Sequence, residues 1–198
     1  MKLLPYLRAG RVEAGCDEAG RGCLAGPVFA AAVVLPPDFH HPLINDSKKL
    51  SVGERLRARA IIEEAAVSWG LGECSPTEID EINIFQASYR AMHRAIAQLS
   101  PPAPEHLLID GKFFVPFPGL SHDCIIKGDG KFLSIAAAGI CQTYRDEHML
   151  LLHQAFPSFG WDRNQGYPTA AHRAAILAHG HSIHHRLSFQ LLPKPTAK

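Results

Sequence analysis

Short apolar runs alternate along the chain with longer amphipathic ones, the pattern of strands interleaved with helices. Residues 12–17 read as a short strand, followed by the glycine-rich turn Ala19-Gly20-Arg21-Gly22 and a continuously apolar strand at 28–34. Pro36-Pro37 ends that strand, and 45–49 is a polar turn. Ser51 with Glu54 three residues on has capping-box spacing and starts a helix to about residue 68, with Leu56, Ala60, Ile61 and Ala65 on its apolar face. Residues 69–74 predict another strand. Ser75-Pro76-Thr77 opens a helical stretch that Pro101, Pro102 and Pro104 close. Residues 106–110 predict a strand ending on an acid, 113–120 a proline-rich loop and 124–126 a further strand. From 132 to about 155 the pattern is helical, and two shorter helices, one near 169–179 and one after it, complete the chain. This alternation specifies an α/β fold. No GxGxxG or GxxxxGK[ST] occurs, which removes the main support for a dinucleotide or P-loop site.

Composition narrows the class. A chain of 198 residues is expected to form a single domain around one core, and 46% apolar with 20% charged residues excludes wholesale disorder. Five cysteines without a CxxC pair suit a reducing compartment and argue against a disulfide framework or a zinc knuckle. The longest apolar stretch, 28–35, is too short to span a bilayer, and Pro5, Arg8 and Arg11 break any signal-peptide pattern. The expectation is a cytoplasmic protein with no membrane partner. Net charge is +1, yet Asp162 is the last acid; Arg163, Arg173, Arg186, Lys194, Lys198 and five histidines follow it. Such a basic C-terminal fifth either faces a polyanion or is simply solvated.

Acids recur where elements end. Asp17-Glu18 closes the first strand, Asp110 ends the strand at 106–110, and Asp129 lies between Gly128 and Gly130; Asp146 and Glu147 fall inside the long helix. Singly, these are turn formers or solvated helix acids. Together they imply more, because two carboxylates about 4 Å apart repel by roughly 4 kcal/mol at an effective dielectric near 20. A cluster of them needs a cation or a shared proton. Hard divalent ions take oxygen ligands, and a pair about 3.5–4 Å apart can serve phosphodiester hydrolysis. His40-His41 and His184-His185 are adjacent and lack the i, i+4 spacing of a helical zinc site. Neighbours in a strand point to opposite faces, so either the strand ends at Asp17-Glu18 or one of the two contributes its backbone carbonyl. Gly20-Arg21-Gly22 would let backbone groups approach an anion or a sugar, with the guanidinium reaching a phosphate; alone, it is equally a turn.

Cys16-Asp17-Glu18-Ala19-Gly20-Arg21-Gly22 with Ala25-Gly26-Pro27-Val28 resembles the opening signature of ribonuclease HII. In order, Asp46-Ser47-Lys48-Lys49-Leu50, Leu108-Ile109-Asp110-Gly111, Lys127-Gly128-Asp129, Tyr144-Arg145-Asp146 and Gly166-Tyr167-Pro168-Thr169 with His172 resemble its later motifs. The resemblance implies a ribonuclease H-like mixed five-stranded sheet flanked by helices. It also implies a helical C-terminal extension, about 157–198, that binds substrate. The implied activity is a two-metal endonuclease using Mg²⁺ or Mn²⁺, monomeric, with RNA/DNA hybrids and ribonucleotide-containing DNA duplexes as its partners. Such an enzyme cuts the RNA strand of hybrids, and cuts 5′ of single ribonucleotides in duplex DNA, leaving 5′-phosphate and 3′-hydroxyl ends. On this resemblance Asp17, Glu18, Asp110 and Asp129 are the catalytic, metal-holding acids and Asp146 a further acid nearby. Gly20, Arg21 and Gly22 read the ribose 2′-hydroxyl, Tyr167 packs on the adjacent sugar, and Lys48 lies near substrate. One segment departs: Gly139-Ile140-Cys141-Gln142 stands where the family usually carries a serine and an alanine-lysine pair that help hold phosphate.

Two other readings compete. One is the sister ribonuclease H type that needs longer RNA tracts; the other is a hybrid-binding protein with little catalysis. Gly20-Arg21-Gly22 and Tyr167 oppose the first, and concentrated negative charge beside phosphates opposes the second.

Overall fold

The computed structural model describes residues 3–44 and 50–193, and among these it has five strands and six α-helices. Strands β1 (Glu13–Ala19), β2 (Val28–Val34), β3 (Ser68–Cys74), β4 (His106–Asp110) and β5 (Ser121–Ile125) form one sheet in the order β3-β2-β1-β4-β5. β1 pairs antiparallel with β2, and β2 with β3; β4 runs parallel to both β1 and β5. This is the expected mixed five-stranded sheet.

Helices cover both faces, which is why every residue of β2 is buried. Helix α2 (Pro76–Ile96) packs Ala87, Ala91, Met92 and Ala95 against Ala14, Cys16, Ala30, Ala32 and Leu107 on one face. On the other, α1 (Val52–Ala65), α3 (Leu133–Ala138) and α4 (Cys141–Ala155) cover Ala31 and Val33 through Ile62, Ala137, Ala138 and Cys141. Small residues let these helices sit low. A Cβ on Gly15 would lie 2.2 Å from the Ser134 carbonyl carbon and 2.3 Å from the Ile135 nitrogen, so α3 rests directly on the β1 backbone. Among the described residues no helix is long and apolar enough to cross a membrane.

Several sequence expectations need correction. The capping box at Ser51 and Glu54 forms, but the buried residues of α1 are Ala58 and Ile62, and Leu56 and Ala60 are exposed. On the row between those two, Arg55 and Arg59 pair with Asp146 and Glu147 of α4, so this helix turns charge as well as apolar surface inward. The helix expected from 132 to 155 is two helices. Its backbone bonds shorten to i→i−3 at the junction, with Gly139 donating to Ala136, Ile140 to Ala137, Gln142 to Gly139 and Thr143 to Ile140. That tightening turns the axis without breaking the apolar pattern. Gly139 is therefore at a helix end, where it carries no interior-glycine penalty. The second short C-terminal helix lies before α6 (Ala170–His179), as α5 (Trp161–Asn164), and nothing helical follows α6 in the described residues.

The histidines at 179–185 are not all solvated. His185 is buried beside Phe159 and Trp161, its Nε2 3.2 Å from that of His172, and burial followed by His172 pushes its pKa down to about 4. Nor do the described arginines of the C-terminal fifth form one basic surface. Arg186 is fully buried and Arg173 donates to the carbonyls of Gln190 and Leu191, which leaves Arg163 as its exposed arginine among the described residues.

Gly15→Ala tests the seating of α3. The added methyl meets backbone on its far side, which no rotamer change relieves, so the variant should lose about 1–3 kcal/mol of stability. Urea denaturation measures this; a midpoint equal to that of the parent would show that α3 can shift at no cost.

Candidate active site

A cleft of about 490 Å³ opens where β1 and β4 end, lined by Asp17, Glu18, Gly20, Arg21, Gly22, Asp110, Asp146 and Tyr167 among others. Strand register explains how the first acids meet. β1 and β4 pair Cys16 with Ile109, so the next step along both parallel strands carries Asp17 and Asp110. β4 pairs Asp110 with Ile125 of β5, after which Lys127, left-handed at φ 56°, turns the chain into a 3-10 turn at Gly128–Gly130. The Gly128 amide donates to Asp110 Oδ1 at 2.7 Å, tying the turn that holds Asp129 to the neighbouring carboxylate. Asp129 is buried and does not itself line the cleft.

Asp17 is buried on the cleft, with the charges of the other acids directed at it. Burial raises its pKa well above the usual carboxylate range, and the charges of Glu18, Asp110 and Asp129 raise it further, against one lowering hydrogen bond from the Glu18 amide. β1 does not end at this pair. It continues through Glu18↔Ala30 and Ala19↔Phe29, yet both acidic residues line the cleft. Glu18 Oε1 accepts from Arg21 Nη1 at 2.9 Å, and the Arg21 guanidinium lies 5.0 Å from the centre of the Phe85 ring. Arg21 is thus engaged within the chain.

Asp146, on α4, accepts from Gln142 Nε2 at 2.6 Å and lies 3.5 Å from Arg55 Nη2 and 3.9 Å from Arg145 Nη1. Burial raises its pKa and those three partners oppose the rise. Gln142, Gly139 and Cys141 all line the cleft, so the segment that departs from the family pattern borders the site. Glu147 pairs with Arg59 outside it. Lys48 lies outside the described residues.

The Gly20-Arg21-Gly22 turn is closed by Cys23 N–H donating to Gly20 O at 3.3 Å. Gly20 has φ +91° and a Cβ there would lie 2.2 Å from Arg145 Nε, so the fold itself demands glycine. Gly22 has no such reason, with nothing within 4 Å of a Cβ. The turn is bonded to the Tyr167 loop: Leu24 N–H donates to Gly166 O at 2.8 Å, and Arg145 Nη2 donates to both Cys23 Sγ and Gln165 O, at 2.9 and 2.6 Å. Tyr167 stays 40% exposed on the cleft, with Arg145 5.4 Å from its ring and His172 Nδ1 at 2.9 Å from its carbonyl oxygen. It is no core tyrosine.

Sequence reasoning missed Arg55, Arg145 and Arg186 as parts of this site. Arg145 stood inside a recognised motif but carried no assigned role, and Arg186 looked like one more basic residue near the C-terminus. In the fold both are fully buried beneath the turn. Burial, assisted by Arg145, pushes the Arg186 pKa down to about 10.

The acids offer only hard oxygen donors, the chemistry of a Mg²⁺ or Mn²⁺ site rather than of zinc. Among the described residues no three His, Cys, Asp or Glu side chains already form a closed cation cage. Glu18 is turned onto Arg21 and Asp110 onto the Gly128 amide.

Comparison with known proteins agrees with the fold. Residues 14–192 match the family described as Ribonuclease HII. A Ribonuclease HII of Bacteroides thetaiotaomicron is 57% identical over 191 residues, covering 96% of this chain and 95% of its own length. That of Porphyromonas gingivalis is 58% identical over 191 residues, covering 96% and 94%. The solved structure of the Archaeoglobus fulgidus RNase HII, in complex with PCNA, matches with a TM-score of 0.76 at 25% identity over 93% of this chain and 98% of that one.

An acid whose folded pKa is raised costs stability once ionised. The cost is absent below its unfolded pKa, near 3.9, and complete above the folded value. Asp17→Asn should therefore melt higher than the parent at pH 8 in a chelating buffer, on the order of a few degrees. The gap should close as pH falls towards about 4. A variant that melts lower at pH 8 would show that ionised Asp17 is compensated within the protein.

Proposed function

The chain belongs to the ribonuclease HII family, and from that premise we propose that it hydrolyses the RNA strand of RNA/DNA hybrids and incises duplex DNA 5′ of a single embedded ribonucleotide. The observation that carries this reading is one cleft in which buried Asp17, crowded by Glu18, Asp110 and Asp129, opens beside the Gly20-Arg21-Gly22 turn and Tyr167. Asp17, Glu18, Asp110 and Asp129 are the residues that would hold a pair of Mg²⁺ or Mn²⁺ ions. When bound, such ions supply the Lewis acidity and charge neutralisation that phosphodiester hydrolysis requires, and the products carry 5′-phosphate and 3′-hydroxyl ends.

The chain's own groups set the rest. Glu18 accepts from Arg21 here; were Glu18 to hold an ion instead, the guanidinium would be free to meet a substrate phosphate. Asp110 keeps the 128–130 turn in place through the Gly128 amide. Asp146 is the outer acid, held by Gln142 and flanked by Arg55, which supplies positive charge on the side where the segment Gly139-Ile140-Cys141-Gln142 lacks a lysine.

Selection falls to the sugar. The 2′-hydroxyl alone distinguishes RNA from DNA at one position, and backbone groups can read it whatever the base. Gly22, which nothing in the fold requires to be glycine, leaves room for a ribose against the turn. Tyr167, on the extension of about 157–198, offers an exposed ring to the sugar beside it. The neighbouring Arg163 lines the same cleft.

Cleavage of duplex DNA carrying one ribonucleotide tests this directly. Asp110→Asn should lower turnover in Mg²⁺ at least about a hundredfold while hybrid binding is kept or improved, since one phosphate-repelling charge is gone. A 2′-deoxy or 2′-O-methyl sugar at the site should block cutting, and changing the base should matter little. Parent-like turnover by Asp110→Asn would remove that residue from the mechanism. Cutting at 2′-O-methyl sugars, with strong base dependence, would overturn the assignment of the turn.

A further inference from the structure

The Gly20-Arg21-Gly22 turn is gripped from behind by a residue far away in sequence. Arg186 is fully buried; its Nη1 donates to the Arg21 carbonyl at 3.0 Å and its Nε to the Gly26 carbonyl at 2.9 Å. Its Nη2 has no hydrogen-bond partner among the described residues, and the charge of Asp80 acts on the guanidinium. The Phe189 ring lies 5.3 Å from its guanidinium carbon, and the second buried cation, Arg145, stands under Gly20. A buried guanidinium bonded to carbonyls, with its Nη2 left without a partner, is an expensive way to hold a loop.

The segment that carries Arg186 needs no such charge to stay in place. Its backbone is already fixed. Arg186 N–H donates to Leu24 O at 2.8 Å, Gly26 N–H donates to His184 O at 2.9 Å, and Asp80 accepts from the amides of Leu187 and Ser188 at 2.8 and 2.9 Å. The side chain therefore has a separate task. A trans peptide points its carbonyl and its amide to opposite sides. Holding the Arg21 carbonyl inward directs the Gly22 amide outward, and Gly22 is a cleft residue with open space beside it.

We propose that Arg186 is a positioning residue for sugar selection: by fixing the Arg21 and Gly26 carbonyls it sets the orientation in which the turn meets a ribose, without touching substrate. This rests on the reading that the turn and Tyr167 recognise the sugar. Losing the grip should loosen discrimination at a lone ribonucleotide, where the turn has one sugar to find. It should matter less on a continuous hybrid, where any of many riboses can register.

The test compares kcat and KM for a single-ribonucleotide duplex and a continuous RNA/DNA hybrid in the parent, Arg186→Gln, Arg186→Lys and Tyr167→Ala. Thermal melting and hydrogen exchange of residues 20–26 are measured for each. Arg186→Gln should lower kcat/KM on the single-ribonucleotide duplex about tenfold more than on the hybrid, with faster exchange at 20–26. Arg186→Lys, which keeps the charge but not the fork, should fall between it and the parent. Should Arg186→Gln melt below the assay temperature, Arg186→Lys alone carries the comparison. Equal losses on both substrates, or unchanged exchange at 20–26, would reduce Arg186 to a structural residue. If Tyr167→Ala shifts the ratio and neither Arg186 variant does, the inference fails while the sugar-reading assignment stands. If no variant shifts it, both fall.

Discussion

Like-charge repulsion at the ends of two parallel strands is the constraint around which this molecule is arranged. The pairing of Cys16 with Ile109 delivers Asp17 and Asp110 to adjacent positions, and the turn after β5 adds Asp129. Burial and neighbouring charges drive Asp17 towards its neutral form. A fold selected only for stability would not bring these groups together, because carboxylates about 4 Å apart repel by roughly 4 kcal/mol at an effective dielectric near 20. Such an arrangement makes sense as a site built to be completed by cations, in a family whose reaction handles phosphate.

The surrounding arginines answer that charge at graded distances. Arg21 pairs with Glu18 at the mouth, Arg55 approaches Asp146 from α1, and Arg145 and Arg186 lie buried beneath the turn. Each is positioned by a different element, so the potential of the cleft depends on α1, α4 and the C-terminal segment packing together. The third apolar cluster, Leu24, Ala25, Met149, Phe159, Trp161 and Ile176, supplies that packing. It joins the 20–26 segment to α4 and α6.

Much of this is legible in the sequence. The strand at 28–34, the strand ending on Asp110 and the capping box at Ser51 follow from local rules, since apolar periodicity and turn chemistry act over a few residues. The acids were legible too, as strand-end and turn residues in a recognisable order. The helix junction at Gly139 and the inward face of α1 were not. Both depend on partners distant in the chain: the β1 backbone on which α3 rests, and the carboxylates of α4 that receive Arg55 and Arg59.

The sequence by itself determined the α/β alternation, the oxygen-donor character of the candidate site and its glycine turn, because those are properties of residue type and short-range spacing. Only the tertiary structure decided which glycine the fold requires: Gly20 lies against Arg145, whereas Gly22 faces open space. Only it separated the basic residues near the C-terminus into an exposed Arg163 and a buried Arg186. Charge counted along a chain carries no burial. Where a guanidinium lies, in water or against carbonyls from another segment, is set by strand register and helix packing between residues that no local pattern connects.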